Sequence, residues 1–198
     1  MPAPRRRRPT ALSRTAVVDA AEQLVATRPF DEVTIRSLAA ELGVAPMSLY
    51  RHVRDKDDLL GEVVDRMLAA IWEPSASRRD GLGWLAEAAD RLRRLLVEQP
   101  AALHVYLRQP VLSPAAVRRM DAMVDVLRGA GLGTADAHTA YAALQTYAVG
   151  FAALESSRAG WEPSGDEGDL GAEVASFTSP EQFQRGLHYL LRGILPPR

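Results

Sequence analysis

At 198 residues, with 47% apolar and 25% charged residues, the chain has the balance of a soluble globular protein, with room for one medium domain or a small one joined to a larger one. It contains no cysteine, which excludes disulfides, thiolate metal sites and cysteine nucleophiles, and no run of about eighteen apolar residues, so no membrane span is expected. The net charge of −1 hides an asymmetry: residues 1–56 carry ten Lys+Arg against six Asp+Glu, and the remainder fourteen against nineteen. A basic head in front of an acidic body suits a protein that meets phosphates with one end.

The N-terminus, MPAPRRRRPT, is basic but no apolar stretch follows it. It reads as a flexible arm over residues 1–12, with no secretory signal, so a cytoplasmic location is expected. A first helix is predicted over about 13–27, with Ser13 as its cap and Val17, Val18, Ala21, Leu24 and Val25 as its buried stripe. Phe30 is expected to plug the core beneath it. Thr34 can cap a second helix, with Val33 and Leu38 placed as a hydrophobic staple and Ile35, Leu38, Ala39 and Leu42 on one face. Gly43 follows where a left-handed residue ends a helix, and Pro46 suits the first position of the next one.

That third helix, about 46–53, turns Leu49 and Val53 inward and leaves Met47, Ser48, Tyr50, Arg51 and His52 outward. Ala45, just before it, has no side-chain oxygen to cap it. Two short helices joined by a tight turn hold the second one proud of the surface, as entry into a DNA major groove requires. Asp55 caps a fourth helix that runs to about Trp72, with Asp57 and Asp58 favouring its N-terminal dipole. Residues 74–83 break the pattern. Helices are then predicted over about 84–98, 101–108, 113–128, 134–158 and 179–195, with residues 161–177, acidic and aperiodic, read as a loop. The fold class is all-α: a helix-turn-helix DNA-binding domain over 13–56, and a helical ligand-binding and dimerisation domain over 57–198 that opens with a linking helix at 57–73.

The run TIRSLAAELGVAPMSLYRHVRDKDDLL, above all its LYRHV–K–LL core, resembles the tetracycline-repressor (TetR) family of bacterial transcription regulators. DAHTAYAALQTYAVGFAALE, residues 136–155, resembles the C-terminal domain of the subgroup nearest the tetracycline repressor itself. The resemblance implies a ligand-responsive regulator, a repressor released from a palindromic operator by a small-molecule effector. A transcriptional activator or a helical scaffold protein on the same fold are the alternatives. It implies that Arg36 reaches a guanine edge, that Pro46, Met47 and Ser48 form the tip of the recognition helix, and that Tyr50, Arg51, His52, Lys56 and Thr34 hold backbone phosphates. The Arg5–Arg8 arm is either a groove-binding extension or a solubilising tail.

The family pattern also implies a homodimer formed by the last two long helices. Ala140, Ala143, Ala148, Gly150, Ala152 and Ala153 would allow close approach there, with Leu187, Leu190, Leu191 and Ile194 as the apolar stripe of the final helix. The competing reading is that these residues line the core of a single chain; both can hold on different faces, and the dimer is the reading preferred. Candidate effector-binding residues are Trp72, Trp84, Arg91, Leu95, His104, Tyr106, Met120, Met123, Tyr141, Gln145 and Tyr147, a set that suits an apolar or aromatic compound. Tetracycline itself is not expected. Trp72 and Arg91 stand where the repressor has its drug-gripping His and Asn, and Glu155 is one place out of register with its acidic residue. The four histidines, His52, His104, His138 and His188, show no HExxH or paired metal spacing. No enzyme activity, cofactor or metal is expected.

Overall fold

The computed structural model describes residues 12–28, 32–71, 81–108, 113–161 and 168–195. Trp72, Phe30 and the Arg5–Arg8 arm lie outside them. Among the described residues there are helices and no strands, and no helix is long and apolar enough to cross a membrane. The contacts divide the chain between Val63 and Val64 into two compact units.

The first unit holds α1 (Arg14–Val25), α2 (Ile35–Leu42), α3 (Pro46–Leu49) and the opening of α4 (Lys56–Ile71). Ser13 caps α1 by accepting from the Ala16 N–H at 3.1 Å. Thr34 and Ser37 form a reciprocal capping box on α2, the Ser37 N–H donating to Thr34 Oγ1 at 3.0 Å and the Thr34 N–H to Ser37 Oγ at 2.9 Å. Gly43 ends α2 at φ 65°, and the Val44 and Gly43 N–H groups close back on the Ala39 and Ala40 carbonyls. This doubly bonded closure requires a left-handed residue, which glycine supplies without a Cβ clash. Val17, Val18, Ala21, Val33, Leu38, Leu49 and Leu59, all at most 1% exposed, fill the core beneath.

The second unit contains α5 (Gly81–Glu98), α6 (Pro100–Arg108), α7 (Pro114–Gly129), α8 (Thr134–Ser157), α9 (Gly168–Ser176) and α10 (Pro180–Ile194). Its centre is α8, which packs most extensively on α5 and also touches α6, α7 and α10. Ala137, Ala140, Ala148 and Ala152 are buried along α8, and their small side chains let the neighbouring backbones come close. Ser113 and Ser179 cap α7 and α10, each followed by proline at the first helical position.

Two expectations need correction, and a third, open between dimer and core, is divided between two faces. Helix α5 starts at Gly81, earlier than the glycine-rich sequence suggested, and a Cβ on Gly81 would come within 2.8 Å of Val126 Cγ1, so this first turn uses the missing side chain for packing. The segment read as a loop contains α9 over Gly168–Ser176: helix formers in its interior outweigh its glycines, although Leu170 is 67% exposed. Finally, Ala140, Ala148, Ala152, Leu187 and Leu191 are buried within the single chain, whereas Ala143, Gly150, Ala153, Leu190 and Ile194 remain at least partly exposed. The first five therefore serve the chain's own core.

Candidate nucleic-acid interface and ligand cavity

Helix α3 has only four residues, with the chain turning on through 50–52. Ala45 makes no side-chain cap bond, but Pro46 sits at the N-terminus of the helix and needs no N–H partner there. Three backbone bonds hold the segment: Ser48 N–H to the Ala45 carbonyl, and His52 and Val53 N–H to the Leu49 carbonyl. Leu49 and Val53, 0% and 2% exposed, pin it to the core, while Met47 stands out at 73% and Tyr50 at 48%. Pro46, Arg51, Thr34 and Arg36 are also exposed, and Ser48, His52 and Lys56 half-buried. Such an edge, apolar beneath and polar above, offers side chains to a groove without disturbing the fold.

An electrostatic clamp that periodicity does not reveal fixes this edge. Arg14 on α1 donates from Nη1 to the His52 carbonyl at 2.7 Å, from Nε to Glu62 at 2.8 Å, and to both Asp58 oxygens at 3.3 and 3.4 Å. Asp58 also accepts from the Arg54 N–H at 3.0 Å and its guanidinium at 3.1 Å, while its own N–H donates to Asp55 at 2.7 Å and so caps α4. Burial pushes the Asp58 carboxyl up, but the Arg54 N–H and the two guanidinium groups outweigh it and hold it below its ordinary value. The Asp58 hydrogen bond in turn raises Arg14.

In the second unit a cavity of about 260 Å³ opens between α4, α5, α6, α7 and α8. Its walls are mostly apolar, with Leu68, Leu92, Met120, Met123 and Leu144 among them, and Ala89, Ala116, Val117 and Ala148 completing the surface. Four polar side chains interrupt it: Tyr106, Arg119, Tyr141 and Gln145. The Gln145 amide donates to the Tyr106 oxygen. Burial drives the Tyr141 hydroxyl up to about 12 and raises Tyr106 as well, so both stay protonated donors. Arg119 donates from Nη2 to Asp65 of α4 at 2.6 Å.

Of the sequence candidates, Tyr106, Met120, Met123, Tyr141 and Gln145 meet in this cavity. Trp84, Arg91, Leu95, His104 and Tyr147 do not line it. Arg91 pairs with Glu87, one turn back on the same helix. His104 is exposed, 3.5 Å from Arg108. Tyr147 turns towards α10, stacking on Phe183 at 5.2 Å and donating to the Phe183 carbonyl at 3.0 Å. Arg119 was not singled out, although it shares a helical stripe with Ala116, Met120 and Met123, and that spacing could have found it. Glu155 is held by Arg93 at 2.8 Å. Among the described residues no cluster has the makings of a metal site.

The profile of bacterial regulatory proteins of the tetR family matches residues 17–63, and that of the tetracycline repressor-like C-terminal domain matches 80–168. An HTH-type transcriptional regulator of Saccharopolyspora erythraea is 29% identical over 203 aligned positions, covering 92% of this chain and 84% of that protein. The HTH-type transcriptional repressor DrrR1 of Streptomyces coeruleorubidus is 34% identical over 142 positions, or 69% of this chain; the match spans 51% of that longer protein. The crystal structure of apo ActR from Streptomyces coelicolor superposes with a TM-score of 0.74 at 25% identity, covering 94% of this chain and 98% of that one. A helix-turn-helix followed along the sequence by a helical unit, matched by these two profiles, marks a DNA-binding regulator of transcription. The chain belongs to the TetR family.

Proposed function

We propose that the chain is a homodimeric repressor that occupies a palindromic operator and leaves it when an apolar or aromatic small molecule enters the cavity between α4 and α8. The observation that carries the DNA half is the segment from Pro46 to His52, anchored by Leu49 at 0% exposure and presenting Met47 at 73%. Arg36 is the guanine reader, and Thr34, Tyr50, Arg51, His52 and Lys56 hold phosphates while Pro46, Met47 and Ser48 make the tip.

Dimerisation follows from how little a single helix-turn-helix can bury on DNA. The faces of α8 and α10 left free by the core, with Gly150, Leu154 at 50% and Tyr189 at 65%, are its contact surface. The cavity supports the effector half: it is lined by α4, the helix that continues from the reading head. ActR, of similar fold, has been solved both without ligand and with actinorhodin. A ligand that favours one of two α4 positions shifts the DNA-binding equilibrium. Footprinting of the purified protein on DNA upstream of its own gene, followed by a screen for compounds that erase the footprint, tests the reading. A palindromic, salt-sensitive footprint is expected. Absence of any protection at low salt would overturn it.

A further inference from the structure

We propose that the cavity selects a compact aromatic carboxylate, and that this anion competes with Asp65 for Arg119. The inference rests on the reading of that cavity as the effector site. Each polar side chain on its walls can donate: the Arg119 guanidinium, the hydroxyls of Tyr106 and Tyr141, and the Gln145 amide. None of them carries a negative charge, although the Gln145 carbonyl and the phenol oxygens also accept. The remaining surface is hydrocarbon and thioether, which matches a ring system and has room for one small polar head.

Arg119 carries the argument. It bonds Asp65 through Nη2 at 2.6 Å, while its Nη1 is buried and has no hydrogen-bond partner among the described residues. A buried guanidinium N–H without an acceptor is unfavourable, and because Arg119 is one of the residues around the cavity, a ligand carboxylate that displaces its neighbours there would relieve it. Because Gln145 donates to the Tyr106 oxygen, the Tyr106 proton is left for a further acceptor. The positive charge of Arg119 reaches both phenols, lowering each against the effect of its burial. Asp65 already balances Arg119, so a ligand monoanion adds one net negative charge to this space and a phosphate dianion would add two.

The arrangement also supplies the means of response. Asp65 is 8% exposed and lies on α4, and Leu68 one turn further on lines the cavity. A ligand carboxylate at Arg119 puts two buried anions on one guanidinium. Their repulsion loosens the hold of Arg119 on Asp65, and with it the hold of α7 on α4.

The test is calorimetric titration of the full chain with 2-naphthoate and 2-naphthamide, which share a shape and differ in charge. Wild type should bind the acid about ten- to a hundredfold more tightly than the amide. The charge-neutral pair Arg119→Gln/Asp65→Asn, which avoids a lone buried carboxylate, should lose that preference and keep its affinity for the amide. Asp65→Asn alone should bind the acid more tightly than wild type. Equal affinities in wild type, or a preference that survives the double substitution, would overturn the proposal. Val117→Trp, at the half-open wall, separates the two readings. If it abolishes both ligands while acid and amide bind wild type alike, only anion selection fails. If neither compound binds wild type, or both still bind Val117→Trp, the effector site lies elsewhere and the proposal falls with it.

Discussion

The Arg93 guanidinium lies over the Phe183 ring, 5.1 Å from its centroid, so a cation of α5 caps the aromatic cluster that joins α8 to α10. Phe151 meets the same ring edge-on at 5.1 Å, and Tyr147 stacks on it. Asp90 and Glu155 hold the cation at 3.0 and 2.8 Å. Burial alone would lower the Arg93 pKa, but the two carboxylates raise it above its ordinary value.

Removing this cation should be costly, because Glu155, only 19% exposed, would lose its bond to Arg93, while Asp90 would keep only Arg94 at 3.1 Å. Arg93→Ala is expected to lower unfolding free energy by about 3–5 kcal/mol, the range for breaking a buried pair from one side. Neutralising the partners as well, with Asp90→Asn and Glu155→Gln, should recover part of the loss. Urea denaturation measures both; a loss below about 1 kcal/mol for Arg93→Ala would mean that water screens the cluster.

Asp58 makes the reading head acid-sensitive. Its folded pKa lies below the ordinary 3.8, so its contribution is fully present above that value and is lost as pH falls through the lower folded one. Asp58→Asn should therefore destabilise the protein at neutral pH, by about 1–2 kcal/mol, and flatten the acid limb of the stability curve below pH 4. Thermal melts across pH 2–7 read the difference; parallel acid limbs in the two proteins would contradict the assigned role.

On DNA, Arg36 and Lys56 should fail differently. Arg36→Ala is expected to weaken operator binding by about 1–3 kcal/mol and relax preference at one base pair. Lys56→Ala should weaken every sequence alike and reduce the salt slope by about one. Binding to an operator, a one-base variant and random DNA separates the cases, and equal losses on all three for both variants would defeat the assignment.

Gly186 faces the Tyr147 hydroxyl so closely that an added Cβ has no room. Gly186→Ala should cost about 1–3 kcal/mol through overpacking. Tyr147→Phe removes the obstructing oxygen, so the pair of substitutions should cost less than the sum of the two. Tyr147→Phe alone should leave 2-naphthoate binding unchanged. A matching loss of ligand would return Tyr147 to the cavity.

Local chemistry made the reading head legible. Thr34, Gly43 and Pro46 carry their instructions within a few residues, and Ser13, Ser113 and Ser179 cap helices where a serine precedes a periodic run. The interior of the second unit was harder because its decisive contacts are distant in sequence. Arg93 and Glu155 are 62 residues apart, and Arg119 and Asp65 are 54 apart. Each arginine sits on an otherwise apolar stripe, Arg93 among Leu85, Ala89 and Leu96, Arg119 among Ala116, Met120 and Met123. Composition assigns such cations to the surface, whereas helical phase puts them inside. Tyr147 shows a related difficulty: from α8 it reaches the Phe183 ring and carbonyl, 36 residues away in sequence, and not the wall of the cavity.

The short α3 keeps its place through Leu49, the Gly43 turn and the Arg14 bond to the His52 carbonyl, none of which involves the side chains at Met47, Tyr50 or Arg51. Scaffold and alphabet are thus uncoupled. On the proposed reading, substitution at the tip residue Met47 would change the address and substitution at Tyr50 or Arg51 the grip on phosphates, with melting behaviour unaltered in either case. Related regulators could thus diverge on DNA without first acquiring compensating changes in their cores.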